Sequence, residues 1–176
     1  MIAAIVLAAG EGRRFGGVKQ LHPIDGRPML EHVLAAVEAS GIHLRLVVLG
    51  AHADAVLAGV PLHGARPVIA DGWQEGQAAS LLSTLTTLSD ETTEALVVLG
   101  DGPGLSAAAV RRLADAAPGA RAADYGDGRS HPVVLPRGVW SQLAASGETP
   151  GRSVAVRLVD CSDLPSPGDL DRPPAG

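Results

Sequence analysis

Aromatic side chains make up only 2% of this 176-residue chain: two tryptophans, one tyrosine and one phenylalanine. The core must therefore be filled by alanine, valine and leucine. Small side chains pack by close backbone approach, which suits helices laid on a parallel sheet. Cysteine is nearly absent. Cys161 alone excludes an intrachain disulfide, fits a reducing compartment, and reads as a small buried hydrophobe in the last strand. An excess of basic charge is also missing. The net charge of −5 excludes the broad cationic face that general nucleic-acid binding needs. No apolar run reaches membrane-spanning length. The apolar N-terminus is short, lacks a basic leader and runs straight into glycine and arginine, so it reads as a buried strand and not a signal peptide. Together these features predict a cytoplasmic protein with neither membrane nor nucleic acid as partner.

Lysine is the most telling scarcity. The chain has thirteen arginines and one lysine, Lys19. That lysine lies in Gly10-Glu11-Gly12-Arg13-Arg14-Phe15-Gly16-Gly17-Val18-Lys19, directly after the first hydrophobic run. Lysine carries a compact point charge, whereas arginine carries a wide planar fork. A composition that otherwise uses arginine marks this position as one where small size is needed. Glycines let the backbone approach a ligand, and successive N–H groups in such a turn form an anion-binding concavity. With Arg13, Arg14 and Lys19 nearby, the loop reads as a polyphosphate cradle.

Hydrophobic residues make up 46% of the chain, enough for a core of its own, and the length fits one domain over 1–176. Its tail, rich in proline and glycine from about residue 164, is expected on the surface. Apolar, β-branched runs predict buried strands at 2–8, 44–49, 67–70 and 95–99. Helical patterns lie between them at 28–40, 51–58 and 78–88, and a helix capped by Ser106 runs to 117. Pro28 is placed as the first helical residue. Beyond that, the sequence predicts strands at 133–135 and 158–161 and helices at 138–145 and 152–157. The alternation predicts an α/β fold: a three-layer, doubly wound, mostly parallel, Rossmann-like sheet.

In open α/β sheets, ligands bind beyond the carboxyl ends of the strands. Three segments fall there: the glycine-rich loop, the loop from Asp71 to Gln77 with Ser80 beyond it, and Gly100-Asp101-Gly102-Pro103. A carboxylate at a strand end facing a phosphate cradle suits magnesium, which takes one or two carboxylates plus substrate phosphates. Asp101 is that candidate. The P-loop pattern is absent. The dinucleotide pattern nearly fits as Gly10-x-Gly12-x-x-Phe15, but Gly16-Gly17 interrupts the helix it requires, and the second strand ends in Leu49-Gly50 without an acidic residue. None of the six histidines pairs with another at metal-site spacing. Trp73 reads as a loop anchor in preference to a lid over the nucleotide.

Leu7-Ala8-Ala9-Gly10-x-Gly12-x-Arg14-Phe15-Gly16-x-x-Lys19-x-Leu21 resembles the signature of the MobA-like nucleotidyltransferases, in particular the molybdenum cofactor cytidylyltransferases (MocA-like). Gly26-Arg27-Pro28-Met29-Leu30, Gly76-Gln77-Ala78-Ala79-Ser80-Leu81, Gly100-Asp101-Gly102-Pro103, Ser130-His131-Pro132 and Asp169-Leu170-Asp171-Arg172-Pro173 resemble further segments of that family, so the likeness spans nearly the whole chain. By this resemblance, Leu7, Ala8, Ala9 and Gly10 meet the base and ribose through backbone groups, with Gly12, Gly76 and Ser80 also on the nucleotide side. Arg14 and Lys19 hold the triphosphate and, with Asp101, carry catalysis. Asp101 and Asp171 hold Mg2+, and His131 faces the acceptor. The resemblance implies transfer of a nucleoside monophosphate, CMP from CTP, to a phosphorylated small-molecule acceptor, the molybdopterin cofactor, with release of pyrophosphate. It also implies a molybdoenzyme or its chaperone as protein partner.

Departures from the family pattern cluster on the acceptor side. Gly102 stands where methionine or glutamine is usual, Ser130 replaces a glycine, and the closing motif reads Arg172-Pro173-Pro174 in place of Thr-Pro-Glu. They leave two alternatives in play: a sugar- or polyol-phosphate nucleotidyltransferase, and a catalytically weakened nucleotide-binding partner protein.

Overall fold

The computed structural model describes residues 1–146 and 154–170. Its elements in chain order are β1 (Ile2–Ala8), β2 (Pro23–Ile24), β3 (Arg27–Pro28), α1 (Met29–Ala39), β4 (Leu44–Leu49), α2 (Ala53–Gly59), β5 (Arg66–Ile69), α3 (Gln77–Leu85), β6 (Glu94–Leu99), α4 (Ala107–Asp115), β7 (Arg121–Asp124), β8 (Arg129–Pro136), α5 (Trp140–Ser146) and β9 (Arg157–Asp160). Seven strands form one sheet in the order β5-β4-β1-β6-β8-β7-β9. β1 pairs in parallel with β4 and β6, β4 with β5, and β7 with β9; only β8 runs antiparallel to its neighbours β6 and β7.

β1 is buried on both faces, which explains its unbroken apolar run. Ala4, Val6 and Ala8 face a layer that includes Leu30, Val33 and Val37 of α1 and Val110 and Leu113 of α4. Ala3, Ile5 and Leu7 face the opposite layer with Leu81 and Leu85 of α3 and Trp140 and Leu143 of α5. The result is the expected three-layer arrangement with a mostly parallel sheet.

Several local expectations differ. Pro28 is not helical: at φ −52°, ψ 139° it is extended and pairs with Pro23, so α1 starts at Met29. Asp25 and Gly26 both take positive φ (48° and 78°), the conformation a two-residue hairpin requires. The helix expected over 152–157 is not formed in its described part, because Arg157 opens β9 and pairs with Arg121. Residues 152 and 153 lie outside the described residues. β7, short and without clear alternation, had not been expected. It is fixed by long-range pairing to β8 and β9 and by Arg121, whose fully buried guanidinium donates to the carbonyls of Leu113, Ala114 and Gly119 and to both carboxylate oxygens of Glu94. No helix among the described residues is long and apolar enough to cross a membrane.

Candidate active site

The carboxyl ends of β1 and β6 lie side by side. Gly100 N donates to Leu7 O at 2.8 Å, and a Cβ on Gly100 would stand 2.9 Å from Ala8 Cβ, so only glycine lets the two strand ends close up. Beyond β1 the chain enters the glycine-rich loop. Gly12 adopts φ +66°, and Phe15 N donates back to Gly12 O at 2.8 Å, folding the loop on itself. Gln20 closes it. Its Nε2 donates to Ala8 O at 2.8 Å and to Gly10 O at 3.1 Å, while Ala9 O accepts from Ala51 N. Three successive carbonyls at the strand exit are thereby turned into protein contacts. A carbonyl facing an anion would repel it, so this arrangement favours the loop's cationic character.

Three hollows meet at Gly10. The largest, about 470 Å³, is lined by Gly10, Glu11, Gly12, Arg13, Arg14, Phe15, Lys19, Trp73 and Gln74. A second, about 130 Å³, is lined by Leu7, Ala9, Gly10, Trp73, Gly76, Gln77 and Ser80. The third, also about 130 Å³, is lined by Leu7, Ala8, Gly12, Lys19, Gln20 and Asp101 among others. Every residue named from the sequence for nucleotide binding therefore lines at least one of these three hollows. Arg13 is tied to Glu11 at 2.6 Å, whereas Arg14 is exposed and makes no ion pair among the described residues. Ser80 is buried, and its hydroxyl donates to Gly76 O at 3.3 Å, so it also shapes the first turn of α3.

Lys19 and Asp101, 82 positions apart in the chain, are joined by an ion pair of 2.9 Å between Nζ and Oδ2. Asp169 Oδ1 lies 3.7 Å from the same ammonium. The tail is held there by two backbone bonds, from Leu170 N to Asp101 O and from Gly104 N to Pro167 O. Two carboxylates thus converge on a single cationic position. That donor set, hard oxygens at a strand end, fits a divalent cation completed by ligand phosphates. Among the described residues no group of three or more His, Cys, Asp or Glu could hold a metal unaided. Asp171, named from the sequence as the second metal ligand, lies outside the described residues.

His131, on β8, does not line the three hollows. Its ring sits over Gly102, where a Cβ would come within 2.9 Å of His131 Cε1 and 3.0 Å of Pro167 Cβ. This explains why a glycine occupies the position: the imidazole and the tail fill the space a larger side chain would take. Burial lowers the His131 pKa to about 4, an effect that the nearby Asp101 charge only partly offsets. Its Nδ1 is buried without a hydrogen-bond partner, and its backbone carbonyl accepts from Tyr125. Gln20 and Asp169 were not named from the sequence as site residues. Gln20 stands beside Lys19 in the motif, and Asp169 two positions before Asp171, so proximity to named residues was the available signal.

A cationic, glycine-rich loop after the first strand thus stands beside a carboxylate at the end of the neighbouring strand in a doubly wound sheet. The chain belongs to the MobA-like NTP transferase family, whose domain model matches residues 4–161. It is 34% identical over 188 residues to the nicotine blue oxidoreductase of Paenarthrobacter nicotinovorans, covering 97% of this chain and 92% of that protein. The crystal structure of Rv0371c from Mycobacterium tuberculosis H37Rv superposes with a TM-score of 0.82 at 32% identity, covering 97% of this chain and 92% of the other. A second structure of Rv0371c is a complex with manganese; it superposes with a TM-score of 0.76 at 30% identity over 90% of this chain and 87% of that one. Bifunctional protein GlmU of Rhizorhabdus wittichii is 39% identical over 115 residues; the match covers 64% of this chain and a quarter (25%) of GlmU.

Proposed function

We propose that this chain is a divalent-metal-dependent nucleotidyltransferase that moves CMP from CTP onto the phosphate of the molybdopterin cofactor and releases pyrophosphate. The observation that carries this reading is the pairing of Lys19, which lines the largest and the third hollow, with Asp101, which lines the third. Arg14 and Lys19 hold the triphosphate tail over the largest hollow. The base and ribose meet Leu7, Ala8, Ala9 and Gly10 and take the hollow that Gly76 and Ser80 line, with Gly12 beside them on the nucleotide side. Asp101, with Asp171, holds the metal, Mg2+ by preference; manganese in the Rv0371c complex supports a divalent ion in this family. When bound, that ion would supply positive charge to the phosphates and to the departing pyrophosphate. The acceptor phosphate arrives from the side of His131 and attacks the α-phosphorus in line. The protein contributes positioning and charge neutralisation, and no protein nucleophile is needed. Preference for CTP rests on the Leu7-Ala8-Ala9-Gly10 form of the first motif.

The test is a panel of the four nucleoside triphosphates with Mg2+, read by thermal shift, followed by pyrophosphate release with the molybdopterin cofactor as acceptor. CTP is expected to raise the melting temperature most, because a ligand that binds the folded state stabilises it. Pyrophosphate from sugar or polyol phosphates alone would move the assignment to that class. CTP binding with no pyrophosphate from any acceptor would favour a nucleotide-binding partner role. The relative named an oxidoreductase at 34% identity adds a redox reading. Reduction of an added two-electron acceptor dye by a reduced nicotinamide nucleotide, in a separate assay, would support it.

A further inference from the structure

Trp73 lies where two hollows adjoin. It lines both the 470 Å³ hollow of the cationic loop and the 130 Å³ hollow of Leu7, Gly76 and Ser80. Its loop is closed by its own backbone: Trp73 N donates to Ala70 O, Glu75 N to Gly72 O and Gly76 N to Trp73 O. The root of the side chain is clamped against Gly50. A Cβ there would stand 2.7 Å from both Trp73 Cβ and Trp73 Cγ and 2.5 Å from Ala9 O. The loop is thus anchored by this tryptophan, as the sequence suggested, yet the indole remains only half-buried and borders the site. In a chain with so few rings, a large aromatic fixed at this boundary has more to do than fill space.

We propose that Trp73 is a binding residue whose indole forms the stacking wall for the nucleoside, placed between the seat of the base and the seat of the phosphates. The inference rests on the nucleotide reading above and deepens it. A ligand with its anionic tail over Arg14 and Lys19 and its base against Gly76 and Ser80 must pass the indole. Base–aromatic stacking is tolerant of sequence because every base has a π-face. Trp73 therefore contributes affinity for any nucleoside triphosphate, and choice of base falls to the backbone groups beside it.

The two tryptophans make the test direct. Trp140 is buried, its Nε1 donates to Leu135 O at 3.1 Å, and the Arg137 guanidinium lies 4.8 Å from its ring centroid. Its emission serves as an internal fold reporter. CTP with Mg2+ is titrated into the wild type and Trp73→Leu, following tryptophan emission and, separately, calorimetric heat. The wild type is expected to show saturable quenching with the calorimetric midpoint. Trp73→Leu is expected to keep Trp140 emission, lose the quenching and bind CTP about tenfold more weakly, while Trp73→Phe regains most of the affinity. Inorganic triphosphate, which has no base, is expected to bind wild type and Trp73→Leu equally; a merely structural loss would weaken both ligands. Unchanged CTP affinity in Trp73→Leu, or equal weakening of inorganic triphosphate, overturns the inference and leaves the proposed function standing. A wild type that binds none of the four triphosphates by calorimetry overturns the proposed function and this inference with it.

Discussion

Lys19 Nζ lies 2.9 Å from Asp101 Oδ2, with the two side chains 13% and 27% exposed. The ammonium stands where a divalent cation would approach the carboxylate. A metal binding alone must displace it, whereas a triphosphate arriving with the metal gives Lys19 a new partner. Metal and nucleotide are therefore expected to bind with mutual assistance. Mn2+ alone, followed by electron paramagnetic resonance, should bind Lys19→Met severalfold more tightly than wild type. CTP should bind the same variant more weakly. Equal Mn2+ affinity in both proteins would show that the pair does not guard the carboxylate.

Gly102 is predicted to reject even one methyl group. The added Cβ would meet His131 and Pro167 at 2.9 and 3.0 Å, so Gly102→Ala should cost about 1–3 kcal/mol in urea denaturation. Gly138, which has nothing within 4 Å of a Cβ and no positive φ, is the control. Gly138→Ala should be neutral or slightly stabilising.

His131 gives stability a pH dependence with a definite sign. Its pKa falls from 6.5 in the unfolded chain to about 4 in the fold. Between those values the unfolded state binds a proton that the folded state refuses. Stability from this group is complete above pH 6.5, declines as pH falls, and levels off below about 4. The total is about 3 kcal/mol. Metal-free His131→Asn should lack this decline, as measured by thermal denaturation across that window. An identical pH profile in both proteins would contradict the buried neutral imidazole.

The buried Arg121 pairs at 2.6 Å with the partly exposed Glu94 at the end of β6 remote from Asp101. Removing the guanidinium leaves Glu94 unpaired and takes the donor from the carbonyls of Leu113, Ala114 and Gly119, so Arg121→Met should cost about 1–3 kcal/mol. CTP affinity should be retained wherever the variant stays folded.

The central strands, and the position of the glycine-rich loop and of Asp101 at strand ends, were legible because each rests on a local pattern: an unbroken apolar run, glycines between cations, a carboxylate at a strand end. What escaped reading depends on distant partners. β7 has no periodicity of its own and exists because β8 and β9 flank it. Arg157 carries a helical-looking context yet is captured by that edge. Likewise Gln20 shows nothing in sequence of its grip on Ala8 and Gly10, and only the fold reveals that His131, 29 positions away, is the reason for Gly102.

The account stands or falls on whether the Lys19 and Asp101 corner performs the transfer. Single-turnover release of pyrophosphate from CTP, with Mg2+ and the preferred acceptor at saturation, should be compared in wild type, Lys19→Ala and Asp101→Asn. Each substitution is predicted to slow release at least about 100-fold, the scale on which preorganised charge acts at a reacting centre. Release at the wild-type rate in both variants would place the chemistry elsewhere.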